Sequence, residues 1–444
     1  MLSLHLRRPI AAALVTLPYL LWTGCRSYAP APIDWARESA DWSASATNRV
    51  PLTLAEARQV ALILNPEINA LRLKHLSSES QAQAAGWWED PVMECPTDIQ
   101  RTLGGAAHPW LFGTGLTFTL PLNGVPGLEK RAAQAYAQAD ALAVTVAERA
   151  LLAEVDRLWN ACRATLRCAD AQNAYKARLL EREKLVRALV AAGELPKAEA
   201  DRIEQTRVKI SVDCACCGPD AVARRHAFKR LLGLPPEAPC EVVPDEGETP
   251  PPALAGLVPP ASELDLVRHP NVQEKLVRLK AGEEELRAEI RKQYPELMIG
   301  PRYEHEDGEN KIGLSFGFTL PLWNRNRKGI ADAEGGRDEA RMEALNAWRS
   351  LVGEWHEAQA MMEAVATKER GLRTELLPAA QAAAQRTERL FKQGEADVLA
   401  LLSADETVYD LQESLIDAQT ALHEARVRLE LLHVPAATET PKTL

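Results

Sequence analysis

Residues Gly113 to Leu122 read GTGLTFTLPL, and residues Gly313 to Leu322 read GLSFGFTLPL. The shared FTLPL recurs 200 positions apart. In the first copy Leu116, Phe118 and Leu120 alternate with Thr117 and Thr119. In the second, Leu314, Phe316, Phe318 and Leu320 alternate with Ser315, Gly317 and Thr319. A period of two with one apolar face predicts a half-buried strand. Such a strand suits a membrane barrel wall, where the apolar face meets lipid and the other face meets water.

Reading outward, the duplication extends beyond the strands. Asn65-Pro66-Glu67 is echoed by His269-Pro270-Asn271, and Gly193-Glu194 by Gly394-Glu395. Three landmarks at nearly constant offset indicate two tandem repeats. We place them at 52–233 and 263–433, joined by a Pro-rich linker, 234–262, and followed by a tail, 434–444. Each repeat predicts a short helix, a helix ending near Trp88 or Tyr294, two strands around a turn-rich loop, and a long helical hairpin broken at the glycine. The second repeat's other strand is expected over Leu297 to Glu304. Its counterpart, Val92 to Thr97, is interrupted by Pro96. The loops are expected around Ile99 to Leu111 and His305 to Lys311. Trp87, Trp88, Tyr294 and Trp323 stand at strand ends, either as an interfacial aromatic girdle or as packing in a soluble core.

Four strands cannot close a membrane barrel, which needs about eight, and an open edge in lipid leaves backbone groups unpaired. Strands that span a membrane here therefore require several chains. Val125 to Ala192 shows no break and predicts a helix on the order of 100 Å long. Leu151, Val155, Leu158 and Cys162 step at coiled-coil spacing. Leu345, Trp348, Val352 and Trp355 do so as well, and Val408, Leu411, Leu415, Ala418, Leu422, Ala425 and Leu429 do so more regularly still. Pro378 is expected to kink or unwind its helix. The net charge of −10 argues against general nucleic-acid binding. Beyond the N-terminus no apolar run is long enough for a membrane helix.

The N-terminus has the order of an export signal. Arg7 and Arg8 precede an apolar stretch from Pro9 to Leu21, and Thr23 and Gly24 precede Cys25. Residues 1–24 are expected to be cleaved as a lipoprotein-type signal, leaving a lipid on the sulfur of Cys25. Trp22 occupies the place where such signals usually have Leu, and ordinary cleavage nearby is the alternative. Residues 25–51 are expected to be an irregular linker, in an exported compartment that permits disulfides.

The segment LTLAEARQVALILNPEINALRL (Leu52 to Leu73), the two FTLPL strand ends and the glycine turns resemble the TolC-type outer-membrane efflux proteins. GWWEDPVME before the first strand and Lys130-Arg131 after the second resemble the cation-efflux branch of that family. The resemblance covers about Leu52 to Leu432. It implies a homotrimer with a 12-stranded β-barrel in the outer membrane and an α-helical tunnel through the periplasm. It also implies a passive duct that performs no chemistry and works with a periplasmic adaptor and an inner-membrane pump. A periplasmic coiled-coil adaptor is the alternative, though adaptors usually carry one hairpin between β domains. The resemblance places Gly193, Glu194, Leu195 and Pro196 with Gly394, Glu395, Asp397 and Asp405 at the adaptor-facing, gating tip; the structural alternative is that glycine simply ends a helix. Some family members ring the constriction with carboxylates six and nine residues after the second glycine. Ala400 and Ser403 stand there in this chain, and the nearest acids are Asp397 and Asp405, so a cation-binding gate is not carried over.

No nucleotide-binding glycine loop and no HExxH signature is present, and no cofactor or resident metal is expected. Cys214-Ala-Cys-Cys217 is dense in soft ligands but lacks the paired arms of a structural zinc site. Folding the hairpin near residue 195 brings Cys168 within about one helical turn of Cys217, which suits a disulfide or plain packing.

Overall fold

In a computed structural model of the chain, residues 28–44, 53–99, 110–239, 257–306 and 309–435 are described. Cys25, the signal segment, most of the Pro-rich linker and nearly all of the tail lie outside them. Residues 1–48 and 49–444 are two separate units. The described part of the first unit contains a helix, α1 (Trp35–Ala44), within the stretch expected to be irregular. Asp34 nucleates it: its carboxylate accepts from the Ala36 and Arg37 N–H groups at 3.1 and 3.2 Å.

The second unit opens with α2 (Leu54–Leu64) and α3 (Pro66–Ala84). Thr53 and Glu56 form a reciprocal capping box on α2. Two short strands follow, β1 (Val92–Glu94) and β2 (Thr97–Ile99), then β3 (Trp110–Leu120). Next come α4 (Val125–Ala191) and α5 (Lys197–Leu231). At 67 residues, α4 runs on the order of 100 Å. The later half has β4 (Leu257–Val258), a 3₁₀ turn (Glu263–Arg268) and α6 (Pro270–Arg291). It continues with β5 (Leu297–Glu306), β6 (Glu309–Phe318) and α7 (Arg327–Gly371). A π-helical turn (Leu372–Leu376) leads to α8 (Leu377–Lys392), α9 (Val398–Leu431) and β7 (Val434–Pro435). The π turn lies just before Pro378, whose missing N–H makes regular continuation costly. No described helix is long and apolar enough to cross a membrane.

The helices form a wall. α6 lies between α4 and α7, α4 also packs on α3, α5 and α9, and α9 packs on α7. Burial follows the predicted seams in part: Leu345 is exposed, and Leu411, Leu415, Leu422 and Leu429 are half-buried. Leu151, Val155, Leu158 and Cys162 are buried, as are Val408, Ala418 and Ala425. Trp348, Val352 and Trp355 pack on a cluster of Leu266, Val272, Leu351, Ala358 and Leu432. Behind α4, Trp159 meets Phe228 edge-on, with ring centroids 5.9 Å apart. Arg58 of α2 clamps the buried Asp156 of α4 with two bonds of 2.7 Å.

The main sheet is antiparallel, with β1 and β2 on β3, β3 on β5, and β5 on β6. β1 and β2 keep a single register against β3, with Met93 opposite Leu116 and Thr97 opposite Phe112. Pro96 interrupts hydrogen bonding without shifting it, because its carbonyl still accepts from Gly113 N–H at 2.9 Å. Pairing reaches further than the apolar alternation suggested. Ile99 faces Trp110, His305 faces Asn310 and Glu306 faces Glu309. Residues 305, 306 and 309–311 of the expected loop therefore belong to strands, and Trp110 and Leu111 belong to β3. At the β5–β6 end pairing continues where the residues become polar, which hydropathy does not register; Trp110 and Leu111 are apolar but adjacent in sequence, outside the period of two.

Candidate functional site

Two regions stand out: the uncovered face of the sheet and the turns at the far end of the hairpins. On the sheet, the registers align Phe118 with Ile299 and Phe316, and Leu120 with Leu297 and Phe318. Met93 opposite Leu116 extends this apolar face to the first strand. It is bare: Ile312, Leu314, Phe316 and Phe318 are 85, 65, 67 and 62% exposed, and Met93 is 62% exposed. A contiguous apolar face of this kind marks contact with lipid or a partner. The opposite face carries Thr117, Thr119, Arg302, Glu304 and Ser315, with Arg302 paired to Glu304. Gly300 of β5 is buried because the β3 backbone crosses close to it; a Cβ there would collide with the Leu116 carbonyl. Trp87, Trp88, Tyr294 and Trp323 are all exposed, so none packs inside this chain.

β1–β2 and β6 are the two edges of this sheet, each paired on one side only. Along the first strand, Pro96 directs its carbonyl to β3. Alternation then turns the backbone groups of Met93, Cys95 and Thr97 away from β3, so the interrupting proline removes no donor from the outer edge.

The tips are two matched helix endings. Gly193 and Gly394 adopt φ of 78° and 75°. Glu194 N–H bonds Leu189 O at 2.9 Å and Gly193 N–H bonds Val190 O at 3.1 Å; Glu395 to Leu390 and Gly394 to Phe391 repeat both distances. These are paired Schellman closures, which need a left-handed residue that glycine supplies without strain. The following residues turn back, and Leu195 and Ala396 pack against one apolar cluster that includes Leu179, Val186, Ile203, Phe391, Val398 and Leu401. The two tips thus share a core. Pro196 begins α5 as its N-cap residue, whereas Asp397 caps α9 through a 2.7 Å bond from Ala400 N–H. Glu194, Glu395, Asp397 and Ser403 are exposed.

Asp405, expected among the adaptor-facing residues of the tip, is instead buried and turned inward to arginine, out of reach of a partner. Its side chain is 2% exposed and accepts from Arg182 Nε at 3.0 Å, with Arg178 at 3.5 Å. Arg182 reaches Glu388 of α8 with its other nitrogen at 2.7 Å. The bonds from Arg182 and then Lys392 pull the Glu388 carboxyl down to about 2, and those two carboxylates hold the Arg182 guanidinium above its usual range. This buried cluster ties α4 of the first hairpin to α8 and α9 of the second. Alongside it Tyr175 stacks on Tyr409 with centroids 4.8 Å apart. Arg182, Arg178 and Glu388 carried no sequence signal, since their partner lies over 200 residues away in the chain.

Cys168 is a free thiol, and burial followed by the charges of Asp417 and Glu413 raises its pKa. The side chains of Cys214, Cys216 and Cys217 lie outside the described residues, and so does the expected pairing of Cys168 with Cys217. Among the described residues no cluster of His, Cys, Asp and Glu has the makings of a metal site.

Residues 262–433 match the family model of the outer membrane efflux protein. No curated protein matches the chain in sequence. In structure the chain is similar to a membrane protein from Pseudomonas aeruginosa, at a TM-score of 0.74 and 18% identity, covering 87% of this chain and 92% of that one. It is similar to CusC, whose structures concern folding and transmembrane channel formation, at 0.72 and 16%, covering 86% and 92%. It is also similar to the outer membrane protein VceC of Vibrio cholerae, at 0.73 and 13%, covering 86% and 97%. At these identities the likeness is one of fold, and it extends over nearly the whole length of each.

Proposed function

We propose that this chain, whose residues 262–433 match the outer membrane efflux protein model and whose fold is similar to those channels over most of its length, is the outer-membrane channel of a tripartite efflux system. The observation that carries this reading is the sheet. It has a bare apolar face, a polar opposite face and two edges paired on one side only, and it is continuous with helices on the order of 100 Å long. A sheet with open edges is prohibitive in lipid. Three copies joined β6 to β1–β2 give 12 strands and no edge, within the range of closed membrane barrels. The helical wall then continues the barrel as a periplasmic tunnel.

The chain on this reading is a passive duct rather than an enzyme, with energy and selectivity supplied by an inner-membrane pump and a periplasmic adaptor. A lipid on Cys25 anchors it to the outer membrane. The turns at Gly193 and Gly394 form the adaptor-facing, gating tip, because α4, and α7 continued through the π turn into α8, each run from the sheet to one of these glycines. The family match favours the duct over the adaptor alternative, as do the two hairpins and the membrane-suited sheet. Purified chain reconstituted in planar bilayers should give discrete conductance steps, and a deletion strain should become sensitive to the exported compounds. Absence of both conductance and sensitivity would reject the duct.

A further inference from the structure

The two halves of the molecule solve one structural problem with different side chains. In the first half Asn65 caps α3, accepting from Glu67 and Ile68 N–H at 2.9 and 3.1 Å, and its Nδ2 donates to Leu231 O at 3.0 Å. One side chain thus starts one helix and ends another, since Leu231 is the last residue of α5. In the second half His269 has both tasks. Its Nδ1 accepts from Asn271 N–H at 3.3 Å at the start of α6, and its Nε2 lies 3.0 Å from Leu431 O, at the end of α9. Accepting at Nδ1 and donating at Nε2 is possible only for the neutral imidazole.

A protonated ring would lose the Nδ1 acceptor and would place a positive charge at a helix N-terminus, where the dipole opposes it. It would also face Arg149 of α4. That guanidinium is buried and donates from Nη2 to Leu431 O and His433 O at 2.8 and 2.6 Å, while its Nε and Nη1 have no partner. Other charges nearby are already committed: Arg268 bonds Asp265 at 2.6 Å in the 3₁₀ turn, and Glu430 of α9 accepts from Arg426 at 3.0 Å. Among the described residues no carboxylate bonds His269 or Arg149. His433, at the end of α9, is the other titratable neighbour of Arg149.

We propose that this second junction is a proton-sensitive clasp on the end of α9 and on the β4–β7 ribbon, while the first junction, built on Asn65, is insensitive to pH. Burial foremost, and then Arg149, hold the His269 pKa at about 4 against the opposing pull of the Leu431 carbonyl. Burial and Arg149 lower His433 as well. Because the folded-state pKa of His269 is depressed, the opened state binds the proton first as the pH falls below its ordinary 6.5. The clasp is therefore at full strength above pH 6.5 and weakens progressively towards pH 4, its opening rising by up to about tenfold per pH unit for one proton.

The molecule contains its own control. Amide exchange of residues 429–435, taken as a ratio to residues 229–234 to cancel intrinsic pH effects, should show opening that increases as pH falls from 7 to 5. In His269→Asn, which installs the side chain of the first junction, the ratio should lose most of that dependence. A flat ratio in the unaltered protein, or an undiminished slope in the variant, overturns the proposal. Should the variant fail to fold, hydrogen exchange at the imidazole C2 position of His269 in the unaltered protein decides. A midpoint well below 6.5 supports the clasp, and one at or above 6.5 overturns it. Trimer formation and conductance enter neither readout, so the clasp stands or falls apart from the channel reading.

Discussion

Replacing Arg182 tests the energetic link between the two hairpins. Its side chain is 12% exposed and that of Asp405 is 2% exposed. Removing the guanidinium leaves Asp405 with only the longer contact from Arg178, itself 46% exposed. Breaking a buried pair by deleting one partner costs about 3–5 kcal/mol, because a desolvated charge is left behind. Local opening near the tip should therefore rise in Arg182→Ala by roughly two to three and a half powers of ten, at about 1.4 kcal/mol per tenfold. Hydrogen exchange of peptides covering 175–186 and 398–408 reads this directly. Arg182→Lys should recover part of the loss, since one ammonium cannot serve Asp405 and Glu388 with the planar fork of arginine. The double change Arg182→Met with Asp405→Leu should recover most of it, because it removes both buried charges. Exchange in Arg182→Ala within threefold of the parent, or a double variant as open as the single, would refute the reasoning.

Gly193→Val and Gly394→Val force a β-branched residue to φ near 75°, so both turns should strain. Efflux and adaptor crosslinking should drop while oligomer yield stays near normal; unchanged efflux in both variants would remove the tip assignment. Mass spectrometry of the mature N-terminus should find an acylated Cys25, and an unmodified terminus elsewhere would exclude the lipid. With Ala400 and Ser403 where some relatives place carboxylates, and with Asp405 buried, multivalent cations should block conductance only weakly from the periplasmic side. Strong block that persists after Asp397→Asn would require another acidic ring.

Much of this architecture was legible in the sequence because its signals are periodic. The alternation from Leu116 to Leu120 and from Leu314 to Leu320 locates two strands, although β6 stops at Phe318, and the heptad steps from Val408 to Leu429 locate a packed seam buried at Val408, Ala418 and Ala425. What escaped is set by backbone pairing or by distant partners. β3 begins at Trp110, beyond the alternation, and Pro96 breaks a strand without breaking its register. α1 arises from the cap at Asp34 in a short, largely polar stretch. Asp405 reads as one more acid near a turn until folding brings Arg182 beside it. The echo of Asn65-Pro66 in His269-Pro270 was visible as spacing. Its physical content, a side chain that begins one helix and closes another, required Leu231 and Leu431 to return from the ends of α5 and α9.

The claim on which the rest depends is that the two edges of the sheet are closed by other copies of the same chain. Native mass spectrometry or light scattering of the chain extracted in mild detergent tests it most directly. Three chains per particle are predicted, giving 12 strands without an edge; a stable monomer with the sheet intact would contradict both the barrel and the tunnel.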